Sequence, residues 1–145
     1  MSLIIDFKKI NEDAVLPSKN NDTDAGFDIT TIDNYTMRSG EFRTFNTGLQ
    51  LADYKSDNNS YLRIAPRSGM AVRDGINVLA GVVDKSFRGE IKVVLHNNSN
   101  HSVQISKGDR IAQMIPTLIE QTKVRIVKDV KKTTRGTKGF GSSGK

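Results

Sequence analysis

The sequence predicts an all-β fold, and three observations carry that prediction. Apolar and polar residues alternate over short stretches, as in half-buried strands. Turns rich in Gly, Asn and Asp separate those stretches along the whole chain. Only one short stretch carries helix start and stop signals. Many short strands with almost no helix indicate a β-sandwich or jelly roll closed around a single core.

Taken in order, Leu3-Ile4-Ile5-Asp6-Phe7 reads as the first strand, and the polar stretch from Leu16 to Ala25 as a loop. Phe27 to Thr30 and Tyr35 to Arg38 are extended. Phe45 to Ala52 alternates through Phe45, Thr47, Leu49 and Leu51. Asp53 to Ser60 is a second loop, Tyr61 to Ile64 alternates, and Pro66 stops it. Ser68 to Val72 is the helix candidate, with Ser68 as its cap and Gly75 as its end. Ile76 to Val83 is one apolar run, and Ile91 to Leu95 is a strand followed by a turn at Asn97 to Asn100. Val103 to Ile105 alternates, Lys107-Gly108-Asp109 turns, Arg110 to Ile119 is extended, and Val124 to Val127 alternates once more. From Thr133 the composition becomes Gly-, Ser- and Thr-rich, a flexible arm carrying one large apolar residue, Phe140. The expected organisation is a β domain over 1–132 and an arm over 133–145.

The 145 residues fit one domain. There is no Cys, which excludes disulfides, thiolate metal sites and thiol nucleophiles. His96 and His101 stand at a spacing seldom used for zinc. No stretch approaches the roughly 20 apolar residues of a membrane span, so a soluble intracellular protein is expected. The net charge of +6 is uneven. Eight cations stand against one acid from Lys123 to Lys145, so the rest of the chain is close to neutral. Such a tail suits either solvation or a polyanionic partner.

Five stretches set a polar residue in a turn. In Asp24-Ala25-Gly26-Phe27-Asp28, the second acid can hold a hydrated cation or merely stabilise the turn. In Ala65-Pro66-Arg67-Ser68-Gly69-Met70-Ala71, backbone N–H groups, a hydroxyl and Arg67 can face an anion, or form a helix cap beside a surface Arg. In Gly81-Val82-Val83-Asp84-Lys85-Ser86-Phe87-Arg88-Gly89-Glu90, Asp84 can act as a general base for water, or be a solvated acid in a β-hairpin with a core Phe87. In Lys107-Gly108-Asp109-Arg110-Ile111-Ala112-Gln113, Gln113 points opposite to Ala112 and Met114 and can touch a phosphate or a metal-bound water. Asp109 and Arg110 there read as a turn with an ion pair. In the arm, Arg135 can fork onto phosphate oxygens and Phe140 can stack on a base, although composition alone describes a solvated tail.

Together and in this order, DAGFDI (24–29), APRSGMA (65–71), GVVDKSFRGEI (81–91), KGDRIAQM (107–114) and RGTKGFGSSG (135–144) resemble the five motifs of the trimeric dUTP pyrophosphatase family. The resemblance spans nearly the whole chain. It implies a jelly-roll-like β-barrel with one short helix, assembled as a homotrimer whose active sites are shared by three subunits. The implied reaction is hydrolysis of dUTP to dUMP and pyrophosphate with Mg²⁺, which keeps uracil out of DNA and supplies dUMP for thymidylate synthesis. By the same resemblance, Asp84 activates the water that attacks the α-phosphorus. Arg67, Ser68 and Gly69 contact the phosphate chain, Gln113 lies near the phosphates, and Asp28 holds Mg²⁺ through water. The ion itself is held mainly by substrate phosphates. Backbone from Val78 through Gly81, Val82 and Val83 reads the uracil edge, Phe87 lies under the deoxyribose, and Lys92 lines the same hairpin. Arg135 clamps the γ-phosphate, and Phe140, Gly141 and Ser142 close over the substrate from a neighbouring arm.

The chain departs from the family pattern at Phe27 and Phe87, where Tyr is common, at Lys138 for a frequent Gly, and at Ser143 for Thr. None of these removes a charged or catalytic group. A dCTP deaminase shares the fold but needs a Glu in the strand after the hairpin, which here reads Ile91-Lys92-Val93-Val94-Leu95. A nucleic-acid binder using the basic tail would need aromatics interleaved with the cations, and only Phe140 is there. No stable nucleic-acid or membrane partner is expected, and a partner-protein role stays open.

Overall fold

A computed structural model describes residues 3–139. The first sheet holds β1 (Ile4–Lys9), β4 (Phe42–Lys55), β8 (Glu90–Asn97) and β6 (Ile76–Leu79), ordered β1-β4-β8-β6. The second holds β2 (Phe27–Thr30), β10 (Arg110–Leu118), β5 (Ser60–Ala65) and β7 (Val82–Asp84), ordered β2-β10-β5-β7. A ribbon of β3 (Tyr35–Met37) and β9 (Val103–Ile105) completes the set, and every pairing is antiparallel.

This is the jelly-roll-like all-β architecture that the strand pattern predicts. The two main sheets are not joined by a continuous ladder. They close through side chains. Phe45 and Leu51 from β4 and Ile91, Val93 and Leu95 from β8 meet Ile29, Leu62, Ile64 and Met114 from the second sheet, all at most 4% exposed. Alternation explains the placement: in β8, Ile91, Val93 and Leu95 point inward while Lys92 and Val94 point out.

Several boundaries differ from the expectations. β4 runs past the alternating stretch at both ends, its last residues Asp53 to Lys55 pairing with β1 where a loop was expected, and within it the register shifts between Asn46 and Gln50 around Gly48 (φ 68°). The Thr47 hydroxyl donates to the Ile91 carbonyl and Glu90 Oε1 accepts the Gly48 N–H, so the irregular step keeps its partners. The helix α1 spans Ser68–Asp74, and Arg67, not Ser68, stands at its cap position without a side-chain cap bond. Gly75 ends it in the left-handed region (φ 66°), as expected, donating its N–H to the last turn.

The apolar run 76–83 is two strands in two sheets. Ala80 (φ 61°) and Gly81 (φ 107°) make the break, which is invisible to a hydrophobicity pattern. Val124 to Val127 forms no strand. Val124 and Ile126 are fully open to solvent, and no neighbouring strand in the described chain offers their backbone a ladder. Among the described residues, regular structure ends at Leu118. No helix among the described residues is long and apolar enough to cross a membrane.

Candidate active site

Two clefts hold the chemistry-bearing residues, and they lie apart. The first forms where β2, β10 and α1 meet, lined by Asn20, Asp24, Gly26, Asp28, Arg67, Ser68, Gly69 and Gln113, with a volume of about 260 Å³. Ladder register brings its members together: Gln113 lies opposite Asp28 on one side and Ala65 on the other. Asp28 Oδ1 accepts from Arg67 Nε at 2.9 Å, and Oδ2 accepts from Arg110 Nη1 at 3.0 Å. Arg67 Nη1 donates to the Arg110 carbonyl at 3.0 Å, and Arg110 Nη1 also reaches Asn20 Oδ1 at 3.2 Å. Asp28 is thus more than a turn acid. It holds two guanidinium groups, in charge-assisted bonds, at the mouth of one cleft.

The triad carries one net positive charge, and Asp24 in the same cleft adds a negative one. Gln113 Nε2 donates to the Pro66 carbonyl at 2.8 Å, and its Oε1 rests against Gly26, where a Cβ would collide with it. The glycine is there because the amide needs its space. Gly69 has no atom within 4 Å of where a Cβ would stand, so the backbone at the start of α1 is open to a ligand.

The second cleft, of about 330 Å³, is the wedge between β6, β7 and β8. The tight hairpin expected about Asp84 does not form as such: β8 pairs instead with β6, Val78 opposite Leu95 and Leu79 opposite Val94. Their connection, residues 80–89, leaves that sheet and lays Val82–Asp84 along β5 of the other. Both β6 and β7 are edge strands. Their outer N–H and C=O groups have no ladder partner and border the wedge. Val78, Gly81, Val82, Val83, Asp84, Phe87 and Lys92 all line it. Gly81 is held close: its carbonyl accepts the Ile64 N–H at 2.8 Å, and a Cβ there would collide with the Ile64 carbonyl oxygen.

Asp84 ends β7, exposed, with no side-chain partner among the described residues. Its carbonyl accepts the Phe87 N–H at 2.9 Å, which closes the turn. Phe87 is half-exposed on the wedge, not a core residue. Lys92 Nζ stands 3.6 Å from Glu90 Oε2.

Arg135 lines neither cleft, and its Nε donates to the Lys138 carbonyl at 2.9 Å. Phe140, Gly141 and Ser142 lie outside the described residues. The expected Asp109–Arg110 ion pair does not form. Asp109 Oδ2 accepts the Ser106 N–H and shapes the turn, and Arg110 turns to Asp28. Strand alternation gave no signal for Arg110, since a residue three before Gln113 is expected on the opposite face, and only the register shift between Arg110 and Ala112 against β2 breaks that alternation.

A family model for dUTPase matches residues 12–144. The chain is 40% identical over 137 residues to the deoxyuridine 5'-triphosphate nucleotidohydrolase of Paramecium bursaria Chlorella virus 1, covering 94% of this chain and 95% of that one. It is 41% identical over 136 residues to the enzyme of the same name from Kluyveromyces lactis, covering 92% and 88%. Among solved structures, the dUTPase of Staphylococcus bacteriophage 80alpha with dUPNHPP superimposes with a TM-score of 0.86 at 22% identity, over 97% of this chain and 98% of that one. A dUTPase from phage phi11 of S. aureus, which coordinates a structural Mg(II) ion, superimposes at 0.78 with 18% identity, over 89% and 99%. With the family model across nearly its whole length and relatives at this identity over most of theirs, the chain belongs to the dUTPase family.

Proposed function

We propose that the chain hydrolyses dUTP to dUMP and pyrophosphate at sites assembled between copies of itself. The observation that carries the proposal is the register of the second sheet. Asp84 lies opposite Tyr61, whereas Gln113 lies opposite Ala65 and Asp28. Four residues along a strand are about 13 Å and three strand spacings about 14 Å, so Asp84 and Asp28 of one chain stand on the order of 20 Å apart. A general base must be within hydrogen-bond reach of its water, and that water beside the phosphorus it attacks. One chain therefore carries two half-sites, and a second copy must bring the Arg67–Asp28–Gln113 cleft up to the Asp84 wedge. A homotrimer, with a third chain's arm over residues 133–145 supplying Arg135, Phe140, Gly141 and Ser142, satisfies this requirement.

In such a site the wedge selects the base. Outward main-chain groups of Val78 to Val83, apart from the Val78 N–H held by Asn77 Oδ1 and the Gly81 carbonyl held by the Ile64 N–H, match the uracil edge, and cytosine, with donor and acceptor exchanged, leaves them unsatisfied. Phe87 packs against the deoxyribose, where a 2′-hydroxyl would collide. Lys92 stands beside them as a cation on the same wall. Asp84 takes the proton from water as the water oxygen bonds to the α-phosphorus. The bond from that phosphorus to the bridging oxygen breaks, and pyrophosphate leaves. An exposed carboxylate is a weak base, so much of the rate enhancement comes from position and charge. Arg67 has donors left over after Asp28 and the Arg110 carbonyl, and Ser68 and Gly69 add a hydroxyl and open backbone for the phosphate chain.

The residues fit Mg²⁺ in one particular way. Among the described residues no three His, Cys, Asp or Glu side chains cluster to hold a metal directly. Asp28 gives one acceptor site on each oxygen to an arginine, and a carboxylate has roughly four in all, so a metal-bound water can still donate to it. Mg²⁺ retains several waters and favours substrate phosphates, which suits an outer-sphere acid. When bound, it neutralises phosphate charge.

Deamination of dCTP finds no support in the strand after the wedge. β8 contains one acid, Glu90, and its carboxylate already accepts the Gly48 N–H and faces Lys92. The test is pyrophosphate release with Mg²⁺, measured side by side on dUTP, dCTP, dTTP and UTP. Release from dUTP far above the other three is expected. Uracil nucleotides appearing from dCTP would replace this reading with deamination. Salt-sensitive DNA binding without turnover of dUTP would replace it with nucleic-acid binding.

A further inference from the structure

We infer that Gly89 is a positioning residue for sugar discrimination, because its missing side chain is the seat of the Phe87 ring. A Cβ at Gly89 would lie 2.5 Å from Phe87 Cζ, 3.0 Å from Cε2 and 3.3 Å from Cε1. The backbone does not demand glycine at this position. Gly89 is absent from the residues with positive φ, unlike Gly81 at φ 107° on the other wall of the same wedge. The three nearest heavy atoms to the vacant Cβ position are all ring atoms of Phe87. The ring is the nearest obstacle to any side chain at this position.

The rest of the turn fixes the frame in which that contact acts. The Phe87 N–H donates to the Asp84 carbonyl at 2.9 Å. Arg88 Nη1 donates to the carbonyls of Lys85 and Phe87 at 2.8 and 3.0 Å, while the Arg88 carbonyl accepts from Gln50 Nε2. Glu90 is anchored on the Gly48 N–H. Backbone on both sides of Phe87 is therefore fastened, but the half-exposed ring has no such fastening. A tyrosine could tie its tip down through a hydroxyl, and Phe87 cannot. Its rotamer depends on the shallow bed that Gly89 leaves. A methyl group at 89 collides with the far end of a mobile side chain, so the turn survives and the ring moves off the sugar.

This inference rests on Phe87 facing the deoxyribose, and the test separates the two. kcat and KM for dUTP and UTP are measured in wild type, Phe87→Ala, Gly89→Ala and the double variant, with thermal midpoints recorded for each. Gly89→Ala is expected to keep kcat for dUTP within a few-fold, raise KM, and lower the dUTP-over-UTP preference by about tenfold or more. The double variant should be no less selective than Phe87→Ala alone, since residues acting through one contact are not additive. If Phe87→Ala loses selectivity while Gly89→Ala keeps it, the seat is overturned and the sugar contact stands. If Phe87→Ala keeps wild-type selectivity, the sugar contact fails and the seat fails with it. A double variant less selective than both singles would show that Gly89 acts by another route. Should Gly89→Ala not fold, removing the ring in the double variant must restore folding, and failure to do so equally overturns the inference.

Discussion

Asp28 and Asp84 are both carboxylates beside a turn, and their surroundings give them opposite work. Asp28 has 16% of its side chain exposed and both oxygens occupied by guanidinium donors. Asp84 is exposed and without a side-chain partner among the described residues. The first can orient, and the second can accept a proton from water. Replacing Asp84 by Asn preserves shape and hydrogen bonding but removes the base. Pre-steady-state and steady-state assays should show kcat lowered about 10²–10⁴-fold, with dUTP affinity and thermal midpoint near wild type. A variant with near-normal kcat would remove Asp84 from the chemistry. Replacing Asp28 by Asn should act differently. Two charge-assisted bonds weaken, and unfolding titrations should register a loss of about 1–3 kcal/mol. KM should rise because Arg67 is no longer held. Sequence alone separated these two acids only through the motifs around them. The partners of Asp28 sit 39 and 82 residues away in the chain.

At the scale of elements, the informative piece is the crossing from β6 to β7. Its composition was legible as a single apolar run over 76–83, which the structure divides into β6 and β7. The break at Ala80-Gly81 was not legible, because a change of sheet alters the hydrogen-bond partner without altering hydrophobicity. The helix was legible from Gly75. Its start was misassigned because Ser68 is a good cap by type, whereas the chain enters the helix through an extended Arg67 (φ −91°, ψ 130°) that is fixed by Asp28 instead. Two glycines test this picture. Gly81→Ala meets both a positive φ and the Ile64 carbonyl, and should cost about 1–3 kcal/mol in chemical denaturation, with weaker uridine nucleotide binding. Gly69→Ala meets no atom within 4 Å and no strained φ, so its thermal midpoint should barely change. Its KM for dUTP should nevertheless rise, since the added methyl occupies space meant for phosphate. Equal stability losses in the two variants would contradict the distinction.

At the scale of the whole molecule, the proposed sharing of sites rests on how the two clefts divide the charged groups. The wedge sets the Asp84 carboxylate, unpartnered among the described residues, beside a single lining cation, Lys92, whereas the carboxylates of the arginine-lined cleft are taken up in hydrogen bonds, Asp24 with the Asn21 N–H and Asp28 with two arginines. Beyond Leu118 the chain runs out with Val124, Ile126, Val127 and Val130 exposed and with most of its excess positive charge. Ending the chain at Thr134 removes Arg135 and the residues after it without touching the core, so a folded oligomer of low activity is expected by size-exclusion chromatography and turnover. Full activity of that truncate would show that the arm lies outside the site. The assembly itself is tested by complementation. An Asp84→Asn chain lacks the base and an Arg67→Ala chain lacks the phosphate clamp, so each alone should be nearly inactive. Unfolded together and refolded as a mixture, they form some interfaces that join an intact wedge from one chain to an intact cleft from the other. Activity should return in the mixture and grow as the two chains approach equal amounts. If both residues served one site within a single chain, every site in the mixture would carry a defect and no activity would return.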